Sequence, residues 1–305
     1  MGTQIIRIGT RSSQLALWQA NLVKQKLEKN NITCELVYIQ SVGDLDLKKP
    51  IYKMSEIGVF TKALDQALLE DQIDLAVHSM KDVPTVLTSG LTQAAVLKRG
   101  EVLDILVFKG EIDFNQPMTV ATGSLRRQAQ WLAHYPEHTI VNLRGNLQKR
   151  LDSLYANDNV QGAIFAKVGL ERLSCLPVHY LELDWMIPAP AQGAIVVLSR
   201  ENDESILDLV QCLNDDQTIF CVSQERAFLR ALEGGCAAPI GALMTIDKDL
   251  ASFRGGLFSL DGRKKVVIDV TIPLVRAYSL GKNMAEEVLK TGGEEIMQEI
   301  RGYLR

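Results

Sequence analysis

Strand-like and helix-like segments alternate through the first two-thirds of the chain, and that alternation restricts the fold more than any other feature. IIRIG (5–9) reads as a strand, and Gln14 to Asn30 carries Leu15, Trp18, Leu22 and Leu27 at helical spacing. CELVYIQ (34–40) reads as a second strand. Phe60 to Glu70 comes next as a helix with Leu64, Ala67 and Leu68 on one face, and DLAVHS (74–79) as a buried strand. TVAT (119–122), TIVNL (139–143), AIFA (163–166) and AIVVLS (194–199) extend the series, with helical stretches between them. Strands separated by helices predict parallel, doubly wound sheets.

The tail has a different pattern. Thr218 to Leu232 reads as a helix. Three β-like runs come after it, IGALMTI (240–246), ASFRGGLFSL (251–260) and KVVIDVTI (265–272), with Asp261-Gly262 as a hairpin turn between the last two. Helices resume from about Lys282. This pattern predicts a small antiparallel α+β domain.

With 305 residues, 47% hydrophobic, the chain can bury full cores and form two or three domains. A net charge of −4 gives no pointer to nucleic acid or to an anionic membrane. No apolar run approaches the ~18 residues of a membrane helix, and MGTQIIRIGTR lacks the apolar core of a signal peptide. The five cysteines, Cys34, Cys175, Cys212, Cys221 and Cys236, are scattered without a C-x-x-C, so neither a disulfide scaffold nor a metal site is expected. A cytoplasmic protein is the expectation.

Open α/β sheets bind ligands beyond the carboxyl ends of their strands, and the residues there form a pattern. Thr10-Arg11-Ser12-Ser13 comes after IIRIG, and Ser79-Met80-Lys81-Asp82-Val83-Pro84 after DLAVH. Gly123-Ser124-Leu125-Arg126-Arg127 comes after TVAT, and Arg144-Gly145-Asn146 after TIVNL, with Arg150 one turn on. In a net-acidic chain, this edge is cationic. Ser124 is a natural N-cap, which puts Arg126 and Arg127 in a first helical turn where the dipole disfavours cations. An anion bound there would offset that cost. Arginine rather than lysine suits carboxylates or phosphates bound in bidentate fashion. Lys81 and Asp82 read either as an ion pair capping a turn or, for Asp82, as a carboxylate that meets a ligand N–H or a developing cation. His78 reads as a core histidine, and Ser13 has no partners for nucleophilic chemistry.

Cys236 stands apart from the other four cysteines. Gly234-Gly235 before it and Pro239 after it suggest a rigid, exposed loop, so the thiol reads as a nucleophile or an attachment site.

Taken together and in order, RIGTRSSQLALWQA, HSMKDVP, GSLRRQ, LRGN, AQGA and LEGGC resemble the porphobilinogen deaminase (hydroxymethylbilane synthase) family, from residue 7 to about 241. The resemblance implies an α/β chain with two periplasmic-binding-protein-like doubly wound domains around a cleft (1–98 with 194–215, and 99–193). A small α+β domain with a three-stranded antiparallel sheet (216–305) completes it. It implies a cytoplasmic monomer acting on the small molecule porphobilinogen, with no nucleic-acid or membrane partner and no metal. Cys236 would carry a dipyrromethane cofactor through a thioether, and Asp82 would be the catalytic carboxylate. Arg11, Ser13, Lys81, Ser124, Arg126, Arg127, Arg144, Gly145, Asn146, Arg150, Arg172 and Gln192 match the family's cofactor- and substrate-binding positions. The sequence departs from the family at SEIGVF (55–60), where Ile57 replaces a lysine of the lid region and Lys53 is the nearest substitute. ATGSLRR is likewise a variant of TSSLRR. Two rival readings, a non-catalytic binder of a small polyanion and a cysteine-dependent acyl transferase, use the same edge. The first leaves the cysteine-bearing domain without a purpose, and the second lacks a histidine near Cys236.

Overall fold

In a computed structural model of the chain, the residues described are 5–40, 61–232 and 238–304. In chain order the elements are β1 (Ile6–Thr10), α1 (Gln14–Glu28), β2 (Cys34–Tyr38), α2 (Lys62–Leu69), β3 (Leu75–Ser79), β4 (Leu91–Val96), β5 (Asp104–Phe108), β6 (Thr119–Ala121) and α3 (Leu125–His134). Then come β7 (Thr139–Val141), α4 (Leu147–Ala156), β8 (Gly162–Ala166), α5 (Lys167–Arg172), β9 (Tyr180–Glu182), β10 (Ile195–Arg200), α6 (Glu204–Val210) and α7 (Asp216–Ala231). The chain closes with β11 (Ile240–Asp247), β12 (Leu250–Phe258), β13 (Lys265–Pro273), α8 (Leu280–Val288) and α9 (Glu294–Leu304).

Two compact units emerge. The first holds the described residues up to Gly100 together with Gly193–Phe220, and the second holds Glu101–Gln192 and the described residues from Cys221 on. The first unit has a five-stranded sheet in the order β2-β1-β3-β10-β4. β1 pairs parallel with β2 and β3, whereas β10 runs antiparallel to both β3 and β4. The second unit repeats this plan as β7-β6-β8-β5-β9, with β6 parallel to β7 and β8, and β5 antiparallel to β8 and β9.

The doubly wound α/β architecture read from the sequence is therefore present, with one correction. Each sheet has one reversed strand, in the fourth place. The reversed strands are β5 and β10, the first strands after the chain passes from one unit to the other. No crossover helix leads into either, so the rule that successive strands run parallel does not reach them. The strands β4, β5 and β9 were not among those read from the sequence.

Alternation along the strands places the cores. In the first unit, Ile6 and Ile8 of β1, Leu75 and Val77 of β3 and Val197 of β10 pack with Ala20, Val23 and Leu27 of α1. In the second, Ile105, Val107, Ala163 and Phe165 face Leu151 and Leu154 of α4. The opposite face sets Leu106, Val120 and Ile164 against Trp131 of α3. Burying one such side chain stabilises by ~1.5–3 kcal/mol.

The second unit also carries the antiparallel sheet β11-β12-β13. The connection from β12 to β13 is closed by Ser259 N–H donating to the Lys264 carbonyl at 2.8 Å, with Gly262 at φ +74°. The hairpin is at the expected place, in a wider loop than a two-residue turn. Among the described residues, no helix is long and apolar enough to cross a membrane.

Candidate active site

In each sheet the carboxyl ends of the parallel strands share one edge with the amino end of the reversed strand. This edge collects the polar residues singled out in the sequence.

In the first unit, β1 ends at Thr10 and the next turn carries Arg11 and Ser13. Ser13 is the N-cap of α1, its hydroxyl accepting from Ala16 N–H at 3.3 Å. β3 ends at Ser79 and runs into a short 3₁₀ turn, Met80–Asp82. Ser79 Oγ accepts from the buried Gln19 Nε2 at 2.7 Å, which fixes the strand end against α1. Asp82 is exposed and Lys81 half-buried. His78, one residue before Ser79, is buried, and its Nε2 has no hydrogen-bond partner among the described residues. Burial, helped by the nearby Arg11 charge, pushes the imidazole down to about 3, so it is neutral at physiological pH.

The second unit treats its charges differently. Ser124 sits at the N-cap of α3 but makes no side-chain capping bond. Arg126 and Arg127 are only 4% and 7% exposed. Between them lies Asp104, the first residue of the reversed β5, whose side chain is 0% exposed. Arg126 Nη2 lies 2.8 Å from Asp104 Oδ2. Arg127 donates to Asp104 Oδ1 through Nη2 at 2.8 Å and Nε at 3.1 Å, and to the Ile164 carbonyl through Nη1 at 3.1 Å. Arg126 Nη1 donates to the Ile187 carbonyl at 2.7 Å, while its buried Nε has no acceptor among the described residues. Burial holds the Arg126 guanidinium below its ordinary range, with Asp104 opposing that shift and Arg127 adding to it.

The anion that offsets two arginines in a first helical turn is therefore first of all internal. The expectation of an external anion missed Asp104 because it looked only at residues on the carboxyl side of each strand. Asp104 lies at the amino end of one. Its signal in the sequence was a lone acid opening the apolar run DILVF, since a carboxylate is almost never fully buried without a partner.

Gln192, also fully buried, donates through Nε2 to Asp104 Oδ1 at 3.0 Å and to the Val102 carbonyl at 2.7 Å. Both of its N–H groups are thus used within the protein, bracing Asp104. The neighbouring turn is held by Glu225, fully buried on α7, which accepts from Ala191 N–H at 2.7 Å and Met244 N–H at 2.8 Å. Glu225 was not singled out in the sequence.

Arg144 comes three residues after the end of β7 at Val141. A Cβ on Gly123 would lie 2.5 Å from the Leu143 carbonyl oxygen, so only glycine lets the Ser124 loop and the Arg144 loop run side by side. Gly145 has φ +104°, and its carbonyl accepts from Arg150 Nε at 2.7 Å. Asn146 caps α4 by accepting from Lys149 N–H at 3.0 Å. Arg172 closes α5 half-buried, its guanidinium pushed down to about 10 by burial.

Cys236, with Gly234 and Gly235, lies outside the described residues, as do Lys53 and Ile57.

Comparison with known proteins gives a consistent result. A family model described as porphobilinogen deaminase, dipyromethane cofactor binding domain, matches residues 6–208, and one described as porphobilinogen deaminase, C-terminal domain, matches 219–290. The porphobilinogen deaminase of Geotalea uraniireducens is 38% identical over 306 residues, covering 98% of this chain and 96% of that protein. The porphobilinogen deaminase of Geobacter sulfurreducens matches with the same identity and coverage. Among solved structures, a methionine binding protein superposes with a TM-score of 0.42 at 13% identity, covering 73% of this chain and 94% of that one.

Proposed function

The chain belongs to the porphobilinogen deaminase family, and from that premise we propose which of its residues carry the reaction. The enzyme is a transferase of tetrapyrrole biosynthesis, a hydroxymethylbilane synthase. It joins four porphobilinogen molecules head to tail with loss of ammonia onto a dipyrromethane primer, and releases the linear tetrapyrrole with water.

The residues present fit such a primer. Each pyrrole unit carries two carboxylates, and the second unit's edge offers two guanidiniums against the single carboxylate of Asp104. The difference is one buried positive charge, with Arg126 Nε lacking an acceptor among the described residues. That excess charge is the observation that best supports the reading, because a buried cation requires a counter-charge. Ser124, Arg126, Arg127, Arg144, Arg150 and Arg172 would hold the cofactor and the growing product by their carboxylates, each charge-assisted bond contributing ~1.5–3 kcal/mol. Gly145 and Asn146 shape that loop, and Gln192 braces the cluster. When bound through Cys236, dipyrromethane supplies the pyrrole α-carbon that acts as nucleophile.

Asp82 is the catalytic carboxylate in this reading. As ammonia leaves the aminomethyl arm of porphobilinogen, positive charge spreads into the ring. A carboxylate placed to accept the pyrrole N–H stabilises that charge and can take up a proton as the ring regains aromaticity. The solvent-exposed position of Asp82 leaves room for a ring against it. Arg11, Ser13 and Lys81 would anchor the substrate carboxylates on the same edge. We also propose a three-domain division, with β11 to α9 as the third domain, and a cytoplasmic monomer as the working form.

The test is intact mass spectrometry of the denatured wild type and of Cys236→Ala, each produced in a porphobilinogen-making host and then incubated with preformed hydroxymethylbilane. The wild type should exceed its sequence mass by one dipyrromethane, and the variant should not. A wild type still unmodified after that incubation, or a variant that carries the added mass, overturns the assignment.

A further inference from the structure

A second cationic recess lies in the second unit, where α3 and Trp185 meet the antiparallel sheet. It is half-open to solvent, with a volume of about 160 Å³. One wall is aromatic: the His134 and Trp185 rings stack 4.1 Å apart at 9°, and Phe258 lies beside them. Two cations also line it, Arg254 from β12 and Lys265 from β13, the latter paired across the strands with Phe258. The floor is Ile187. Its carbonyl accepts from Gln130 Nε2 at 2.9 Å and from Arg126, and its N–H donates to Gln130 Oε1 at 2.8 Å, so the floor is fixed and its polar groups are satisfied.

Arg254, whose side chain is 41% exposed, has little protein counter-charge. Arg254 Nε is buried without a hydrogen-bond acceptor among the described residues. Its ion-pair partner Asp269 is 3.9 Å away and 69% exposed, a contact worth little at the surface. His134 brings no further charge to the recess, since burial and the neighbouring Lys265 charge both hold its imidazole toward the neutral form.

We propose that this recess binds a small aromatic carboxylate: one ring laid against the His134–Trp185 stack, its carboxylate between Arg254 Nε and Lys265 Nζ. Size, ring wall and charge point to the same class. A cavity of about 150 Å³ in another protein holds a benzene ring, and a carboxylate is the anion that a guanidinium Nε and an ammonium satisfy together. Neither cation of this recess belongs to the candidate active site, so the proposal stands independently of the deaminase assignment.

The probe is benzoate, titrated calorimetrically into the full-length wild-type protein, with benzamide as its uncharged counterpart. Benzoate should saturate one site with a Kd of roughly millimolar order, as a nine-heavy-atom ligand allows. Benzamide and the Lys265→Met variant should each bind about tenfold more weakly, the size of one charge-assisted bond. Trp185→Leu should weaken benzoate as well, while Arg144→Leu should leave it unchanged. Lys265 is exposed, so its replacement keeps the fold even if Arg254→Met or Trp185→Leu does not. The proposal fails if no saturable binding is seen up to about 10 mM, tenfold above that order. It fails equally if benzamide binds as well as benzoate, or if Arg144→Leu weakens binding and Lys265→Met does not, which would put benzoate at the arginine cluster.

Discussion

The two five-stranded sheets share one strand order and one reversed strand, yet their loop edges handle charge in opposite ways. In the first unit Asp82 is exposed at the tip of a short turn. In the second, Arg126, Arg127 and Asp104 are sunk into the protein and held by each other, by two backbone carbonyls and by Gln192. A group that must meet a changing substrate has to stay accessible. A group that holds a permanent primer can be fixed in place, because removing its flexibility lowers the cost of binding. On the proposed reading, one topology carries a reactive edge and a holding edge.

Substitutions can break this contrast. Asp82→Asn should lower turnover by ~10²–10⁴-fold, the range of a general acid–base group, while the thermal midpoint stays within a degree or two because the side chain is exposed. Steady-state rates and a melting curve on the same sample check both halves. Near-normal turnover would remove Asp82 from the chemistry.

Asp104→Asn should do the reverse first. Two buried guanidiniums lose their carboxylate, and unfolding should become easier by about 3–5 kcal/mol, measured by urea titration. Adding Arg127→Met to Asp104→Asn restores the cluster to one net charge and should recover part of the loss. No recovery would mean that packing, not charge, dominates there.

His78 sharpens the contrast from within the first unit. Its folded pKa of about 3 lies below the ordinary value of 6.5. Between those values the unfolded chain binds the extra proton, so stability rises with pH. The contribution is complete above about 6.5 and is lost as pH falls toward 3, by at most ~1.4 kcal/mol per pH unit. Urea titrations at pH 7 and pH 5 should show that fall in the wild type and a shallower one in His78→Leu. Gln192→Ala should cost a comparable amount, about 1–3 kcal/mol from leaving buried acceptors unmatched, read by the same titration.

Much of this was legible in the sequence. Periodicity located most strands of both α/β sheets, and the tail's β-like runs and Asp261-Gly262 located the antiparallel hairpin. The cationic loops were found from strand ends alone. The family's ordered motifs named Asp82 and the arginines. What escaped were groups whose meaning depends on partners distant in sequence. Asp104 is 22 residues before Arg126, and Glu225 is 34 after the Ala191 N–H that it accepts from, and no local pattern joins either pair. Ser13 and Asn146, read as ligand contacts, each also cap a helix in the fold, a role that the sequence reading did not assign to them. The reversal of β5 and β10 escaped because periodicity carries no strand direction.

That reversal has a consequence for how the chain is made. β5 to β9 are contiguous, so the second unit's sheet can close as soon as Glu182 is available. The first unit's sheet cannot: β4 is complete at Val96, but β10, the strand that joins it to β3, begins only at Ile195. At ~5–20 residues per second of synthesis, that leaves roughly 5–20 s in which the edges of β3 and β4 have no partner. Of the two five-stranded sheets, the one begun first on the ribosome is the one finished last.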